Sequence, residues 1–428
     1  MTMELRTKYD VVVVGGGFAG VGAAIAAARE GKKVRLIEKY NALGGAAVYD
    51  LVNPFMRYWA WKDEERKEKI MLSAGIFAEI VDKIDSMGGF RDPGRTHFND
   101  EYLKVILNRM MLDAGVELLY GTYVVGANMN GKRIESVTVS NVSGTYDIYA
   151  DQFIDTTGDA NLAALAGFPY KIGRESDGLC QPMTLCFRVA NVDLSEKGYV
   201  SLKAEMNELY KRLKEEGKIT NPREDILMFR TTVDDIMHFN TTRVVKLDPT
   251  NAEDVTKAEL IAREQIFELY NILREQVPAF KNSTLISSGI QIGARESRMI
   301  IGEHMLTKEE MLAYTKFEDG IAACNYDIDI HSPDGAGTSH FYFPAGTYYT
   351  IPYGCLVPKD SENLLVAGRC ISTTHEAQAS IRIMPTVCTI GEAAGVAAAI
   401  ACSDKVGVRM IDTKKLRDTL RAKGAIVD

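Results

Sequence analysis

Residues 9–38 read YDVVVVGGGFAGVGAAIAAAREGKKVRLIE, and the fold of the whole chain turns on them. Val11 to Val14 is a short, unbroken β-branched run, the pattern of a parallel strand buried on both faces. Gly15, Gly17 and Gly20 follow as G-x-G-x-x-G. An alanine-rich helix then runs to about Arg29, with Gly31 as its stop, and residues 34–37 read as a second strand closed by Glu38. Each residue type has a task in a dinucleotide site. Gly15 allows the tight turn, Gly17 lets the backbone approach a pyrophosphate, and Gly20 lets helix and strand pack closely. The helix N-terminus offers unpaired N–H groups and a positive dipole end to the phosphates. Glu38 can accept hydrogen bonds from ribose hydroxyls, which argues against a 2′-phosphorylated cofactor.

Outward from this unit, a nicotinamide dehydrogenase would continue with more strand–helix units. This chain goes instead to NALGGAA (41–47), then to a polar stretch over 56–89 that is expected to be helical. NDEYLKVILNRMMLDAG (99–115) reads as a capped helix, with Asn99 or Asp100 at its start and Gly115 at its stop. A strand in VELLYGTYVVGA (116–127) precedes a segment, 131–159, that alternates around a turn at Asn141–Gly144 and ends in TTGD. A β-meander in this place is what flavoproteins insert between the halves of an FAD-binding domain, so FAD is the expected cofactor.

Three blocks carry a wider resemblance: residues 11–39 with LGG at 43–45, FIDTTGDANLAALAGFPYKIGRE (153–175), and ENLLVAGRCISTTHEAQASIRIMPTVCTIGEAAGVAAAIA (362–401). With them the chain resembles the glutathione-reductase-like flavoprotein superfamily. It looks most like the bacterial "FAD dependent oxidoreductase" family, mostly of unassigned substrate. The first block is shared by thousands of flavoproteins, and the last two are far more specific. The resemblance implies a diphosphate on the turn formed by Gly15, Gly17, Phe18, Ala19 and Gly20, with Glu38 at the adenosine ribose and Lys39 beside it. It implies that Gly44 and Gly45 pass close to the diphosphate or flavin, and that the Val124 backbone contacts adenine. Thr157, Gly158 and Asp159 match the loop beside the dinucleotide. Gly368 and Arg369 match the point where the last strand meets the ribityl–phosphate portion, although many relatives carry an acid where Arg369 stands.

The late stretch HEAQASIRIMPTVCTIGEAAG (375–395) places His375 and Arg382 ahead of a small-residue helix. Pro385 suits a first helical turn, and with Thr386 it marks a helix start expected to face the flavin pyrimidine ring, where reduced flavin carries negative charge. Fumarate-reductase-like flavoproteins place a His and an Arg in a similar loop at a different spacing. The resemblance therefore points to the region without fixing roles. His375 can accept a proton from an alcohol as hydride leaves, or be a hydrogen-bonded loop residue. Arg382 can hold a substrate oxyanion or the flavin C2 oxygen, or pair with Glu376 or Glu392. Between the blocks, YDIDIHSPDGAGTSHFYFPAGTYYTIPYG (326–354) gathers Asp327, Asp329, His331, His340 and tyrosines, a mix that suits a hydroxylated substrate or a wet loop. His340 joins His375 and Arg382 as a candidate catalytic residue. Arg295 and Glu296 read as a structural ion pair or a flavin-edge contact, and His238 as structural. No metal is expected, because nothing supports His331 with further ligand spacing.

The expected architecture is α/β: a discontinuous Rossmann-like FAD-binding domain over 1–171 and 354–428 with its β-meander, and an α+β substrate domain with a mixed sheet, a lid, over 172–353. The expected activity is FAD-dependent hydride transfer with a small polar substrate, such as an alcohol or sugar derivative. The alternatives are reduction of an activated C=C bond in fumarate-reductase fashion, or a non-catalytic flavin-binding or electron-relay subunit. A formal charge of -8 over 428 residues argues against a nucleic-acid surface. No apolar stretch is expected to reach the ~18 residues of a membrane span, and MTMELRTKYD shows no secretory signal. Seven cysteines without a CxxC pair fit reduced thiols in a cytoplasm and argue against a relay through iron–sulfur ligands. The electron acceptor is open, and a homo-oligomer is compatible with the chain.

Overall fold

The computed structural model describes residues 8–428. The reading of the first seven residues as free of a secretory signal lies outside them. Lys8–Val14 is a strand whose side chains divide between two cores: Val11 and Val13 pack into one, Val12 and Val14 into the other. It sits inside a seven-stranded sheet in the order Glu117–Leu119, Val34–Ile37, Lys8–Val14, Gly144–Asp155, Arg133–Asn141, Tyr123–Asn130, with Leu364–Val366 also on Gly144–Asp155. Gly144–Asp155 is the hub. One edge runs parallel to Lys8–Val14. The other is antiparallel to Arg133–Asn141 along its first half and parallel to Leu364–Val366 at its end. The β-meander and the parallel dinucleotide sheet are therefore one continuous sheet.

Against this sheet lie the helices Phe18–Arg29 and Met384–Asp404, packed backbone to backbone. A Cβ on Gly391 would meet the Ala19 carbonyl oxygen at 2.0 Å, so only glycine permits this approach. The small-residue run exists to let two helices touch at this depth. Met384–Asp404, with 21 residues, is alone among the described helices in being long and apolar enough to cross a membrane. This overturns the expectation that no stretch reaches that length. Met384 through Ala401 are all buried against protein.

A second core gathers residues between Met183 and Ile292. Its sheet runs Met228–Arg230, Met237–Phe239, Phe187–Ala190, Thr284–Ser288, covered by the helices Tyr199–Glu215 and Ala252–Gln276. All of its pairings are antiparallel, so the mixing of strand directions expected here lies in the larger sheet instead. Most buried apolar residues from Leu306 to Val357 belong to the first core, while Ala323 packs with Ala60 and Leu72.

Local chemistry decides several elements. Asn99 caps Asp100–Asp113 by accepting from the Glu101 and Tyr102 amides. Thr307 and Glu310 form a reciprocal capping box. The polar stretch expected to be helical is so only at Ile76–Ser86. Before it, Trp59–Trp61 and Lys69–Met71 pair as a hairpin. Trp59 and Trp61 alternate with buried Ala60, and the Lys69 ammonium lies 4.0 Å from one Trp ring centroid and 5.4 Å from the other. A two-residue period beat the helical composition here.

Candidate active site

The glycine turn is fastened from a strand far along the chain. Gly15 has φ +109°, and a Cβ there would lie 2.5 Å from the Thr156 carbonyl oxygen. The Thr156 hydroxyl donates to the Val14 and Gly15 carbonyls at 2.9 and 2.7 Å. At Gly20 a Cβ would collide with the Gly15 oxygen, the close helix–strand packing expected of it. The Gly44 amide donates to the Gly16 carbonyl at 2.9 Å, laying the second glycine pair against the first. No side chain caps the Phe18–Arg29 helix and no acid stands in its first turn. Its leading N–H groups are left for an anion.

One cleft collects the predicted nucleotide residues Gly15, Gly17, Phe18, Ala19, Glu38, Lys39, Gly44, Gly45, Val124, Thr157, Gly158, Asp159, Gly368 and Arg369. Glu38 is buried and accepts from the Gly16 and Tyr40 amides, and burial raises its carboxyl despite those bonds. Arg369 donates to Asp159 at 2.6 Å, and the Ser297 hydroxyl donates to the same oxygen at 2.7 Å. Burial alone would raise the Asp159 carboxyl, but Arg369 and Ser297 outweigh it and hold it below the usual carboxylate range.

Sequence reading missed Asp50, which also lines the cleft. It accepts from the Gln291 amide at 2.7 Å, Tyr40 donates to Gln291 in turn, and burial pushes the Asp50 carboxyl up to about 6. Its only signal was an acid five residues beyond the Gly44–Gly45 pair. Met183, Ile292 and Ala294, from the second core region, close over the cleft opposite no motif at all.

Of the predicted catalytic residues, Arg382 lines the cleft and His375 and His340 do not. His375 starts the helix His375–Ile381, is buried, and shares a 2.8 Å hydrogen bond with Glu296. Glu296 also accepts from the Gln181 amide at 2.9 Å. Glu296 therefore partners His375 and not its neighbour Arg295, whose guanidinium donates to the Pro182 carbonyl and the Thr184 hydroxyl at 2.6 and 2.7 Å. At the start of Met384–Asp404 the cleft is met by Met384 and Val387 rather than by Pro385 and Thr386; the Thr386 hydroxyl turns to Cys324. His238 is buried with neither ring nitrogen partnered, and burial pushes its imidazole down to about 3.

Arg382 reaches the Asp329 carbonyl at 3.3 Å and its carboxylate at 3.5 Å. The same carboxylate is approached by Tyr326 at 3.4 Å, His331 at 3.4 Å and His340 at 3.6 Å. His331 has a fixed tautomer. Arg243 can only donate, so the His331 Nδ1 atom 2.8 Å away accepts, and Nε2 carries the proton toward Asp329. Burial, before any charge, depresses the His331 imidazole, in keeping with a neutral ring. Burial would raise the Asp329 carboxyl, yet His331 and Arg382 hold it well below the usual range.

The fold and the cleft define a flavoprotein oxidoreductase with a glutathione-reductase-like dinucleotide sheet. The chain belongs to the FAD dependent oxidoreductase family, whose sequence pattern matches residues 10–420. It is 29% identical over 227 residues to glutathione reductase of Debaryomyces hansenii, covering 49% of this chain and 45% of that one. It is 26% identical over 202 residues to digeranylgeranylglycerophospholipid reductase of Methanocaldococcus jannaschii, covering 45% and 48%. The chain thus spans about half the length of these curated relatives. Among solved structures, it is similar to a geranylgeranyl bacteriochlorophyll reductase-like protein of Thermoplasma acidophilum, with a TM-score of 0.45 and 14% identity over 97% of this chain and 84% of that one.

The cofactor is FAD, and the residues present fit it. The uncapped helix and its glycine turn suit a diphosphate, and Glu38 presents a carboxylate for ribose hydroxyls. Gly45 faces Gly17 so closely that a Cβ would come within 2.9 Å of its Cα, leaving a cradle of bare backbone.

Proposed function

We propose that this enzyme passes hydride between a small polar substrate and FAD, with the substrate held where Arg382, Met384 and Val387 meet Met183, Ile292 and Ala294. The supporting observation is Arg382, the charged side chain that joins the cleft to the Asp329–His331–His340 group. Bound FAD supplies the two-electron chemistry. The chain's own residues bind, orient and manage the proton. Arg382 orients the substrate, and the apolar Met183, Met384 and Val387 side chains exclude water from the reacting face. His331 has both nitrogens engaged and keeps its neighbours in place. His340, on the Thr338–Phe341 strand and 37% exposed, is the histidine of this group able to exchange protons with solvent. An alcohol or sugar derivative is the substrate class this arrangement favours; His375, committed to Glu296, takes a structural place.

The test is anaerobic. Purified flavoenzyme is mixed with a panel of alcohols and sugar derivatives, and loss of the flavin's visible absorbance is followed. Chemically reduced enzyme is mixed with enoates in parallel. Bleaching by an alcohol supports the reading; reoxidation by enoates alone replaces it with reduction of a C=C bond.

A further inference from the structure

Three guanidinium groups lie at or behind the inner part of the cleft, and of these only Arg382 lines it. Arg295 is bracketed by two residues that also do: Ala294 precedes it, and its guanidinium lies against Pro182 and Thr184 on either side of Met183. Arg243, almost wholly buried, donates only to neutral partners, namely the Gly335 and Gly337 carbonyls, Thr338 and His331. Asp329 is the one acid in contact with Arg382, at a loose 3.5 Å, and the buried Nε of Arg382 has no partner. Glu224 and Asp225 act on Arg243 only from beyond ion-pair distance, and Arg295 donates to the neutral Pro182 carbonyl and Thr184 hydroxyl, so cationic charge is loosely matched in a largely desolvated place. Such charge is costly without an anion to meet it. Burial first, and then the positive charge of Arg382, lowers the Arg295 guanidinium to about 9.

We infer that the substrate is a small carboxylate, gripped by Arg382 and Arg295. This rests on the hydride-transfer reading above and gives its polar substrate a charge. The planar fork of a guanidinium matches the two oxygens of a carboxylate, and the protein already offers Arg382 such a group in Asp329. A substrate carboxylate takes up the free Arg382 Nε and the remaining Arg295 donors, and Asp329 then keeps His331, His340 and Tyr326. An acidic sugar or a hydroxy acid carries both the hydroxyl and the anion that the site asks for.

The experiment titrates the FAD-loaded enzyme with malonate, malate and gluconate, and with their neutral amides, following perturbation of the flavin spectrum. Carboxylates are expected to give saturable shifts, and the amides to bind at least roughly tenfold more weakly. Arg382→Gln and Arg295→Gln are each expected to weaken the carboxylates roughly tenfold or more with flavin content retained. Arg382→Lys, which keeps the charge and loses the fork, gives an intermediate loss and guards against a folding defect. Equal binding of acids and amides, or unchanged affinity in both Gln variants, overturns the inference, as does preference for phosphate monoesters over every carboxylate. Failure of the parent reading looks different: carboxylates still bind through the arginines, but no compound of any charge reduces or reoxidises the flavin.

Discussion

Arg369 and Asp159 form a 2.6 Å ion pair between the end of the last sheet strand and the TTGD loop, with Ser297 on the same carboxylate oxygen. Arg369 stands where related flavoproteins often carry an acid, and in this chain Asp159 brings an acid to it from the loop. Replacing Arg369 by Ala leaves Asp159 without its cation beside the nucleotide. The expected result is lower FAD content on purification and a loss of about 2–4 kcal/mol in stability. The flavin-to-protein absorbance ratio and urea unfolding measure the two effects. Full flavin content in the variant would refute the assignment.

The contact of Gly391 with Ala19 predicts that even one methyl group is not tolerated. Gly391→Ala should cost about 1–3 kcal/mol by forcing the two helices apart, and should loosen the glycine turn at the start of Phe18–Arg29. Gly198→Ala meets nothing within 4 Å and serves as the control. Thermal unfolding of the pair compares them directly. Equal midpoints would show that the helices do not pack as described.

His375 offers a test of place against role. Removing it leaves one oxygen of the fully buried Glu296 without its partner while the Gln181 amide keeps the other, so His375→Ala should lower stability by about 1–3 kcal/mol. His340→Ala should leave stability nearly unchanged and slow turnover. Selective loss of turnover in the His375 variant, with unfolding unaltered, would return it to the catalytic group.

Glu392 makes stability depend on pH. It is buried within Met384–Asp404, accepts from the Ile76 amide at 3.0 Å, and burial pushes its carboxyl up to about 7 from an ordinary value near 4.5. A raised acid holds its proton in the folded state while the unfolded chain releases it. The folded state therefore loses ground as pH climbs through this window and levels off above it. Glu392→Gln keeps the acceptor and removes the charge, so it should gain on the parent by up to about 3 kcal/mol between the two ends of the window. Unfolding curves at both ends decide the point, and parallel pH profiles would exclude it.

The dinucleotide unit was legible because every part is local: strand, glycine turn, helix and Glu38 lie within 38 residues. Caps at Asn99 and Thr307 were readable for the same reason. What escaped is tertiary. The Trp59–Trp61 hairpin hid within helix-like composition, and Asp50 meets Gln291 only through the fold. His375 and Arg382 look alike in sequence. They open and close one short helix, about 10 Å apart along its axis, and turn to Glu296 and Asp329 respectively. Adjacency in the chain gave them a common role that the fold separates.

Gly144–Asp155 also sets an order of assembly. During synthesis its inner edge at Phe153–Asp155 has no mate until Leu364–Val366 leaves the ribosome, with the whole second core made in between. Unpaired strand edges of this kind invite sticking to other nascent chains. Maturation of this enzyme is thus gated by the arrival of its last strand, and a message cut short before that point would yield a product prone to aggregate.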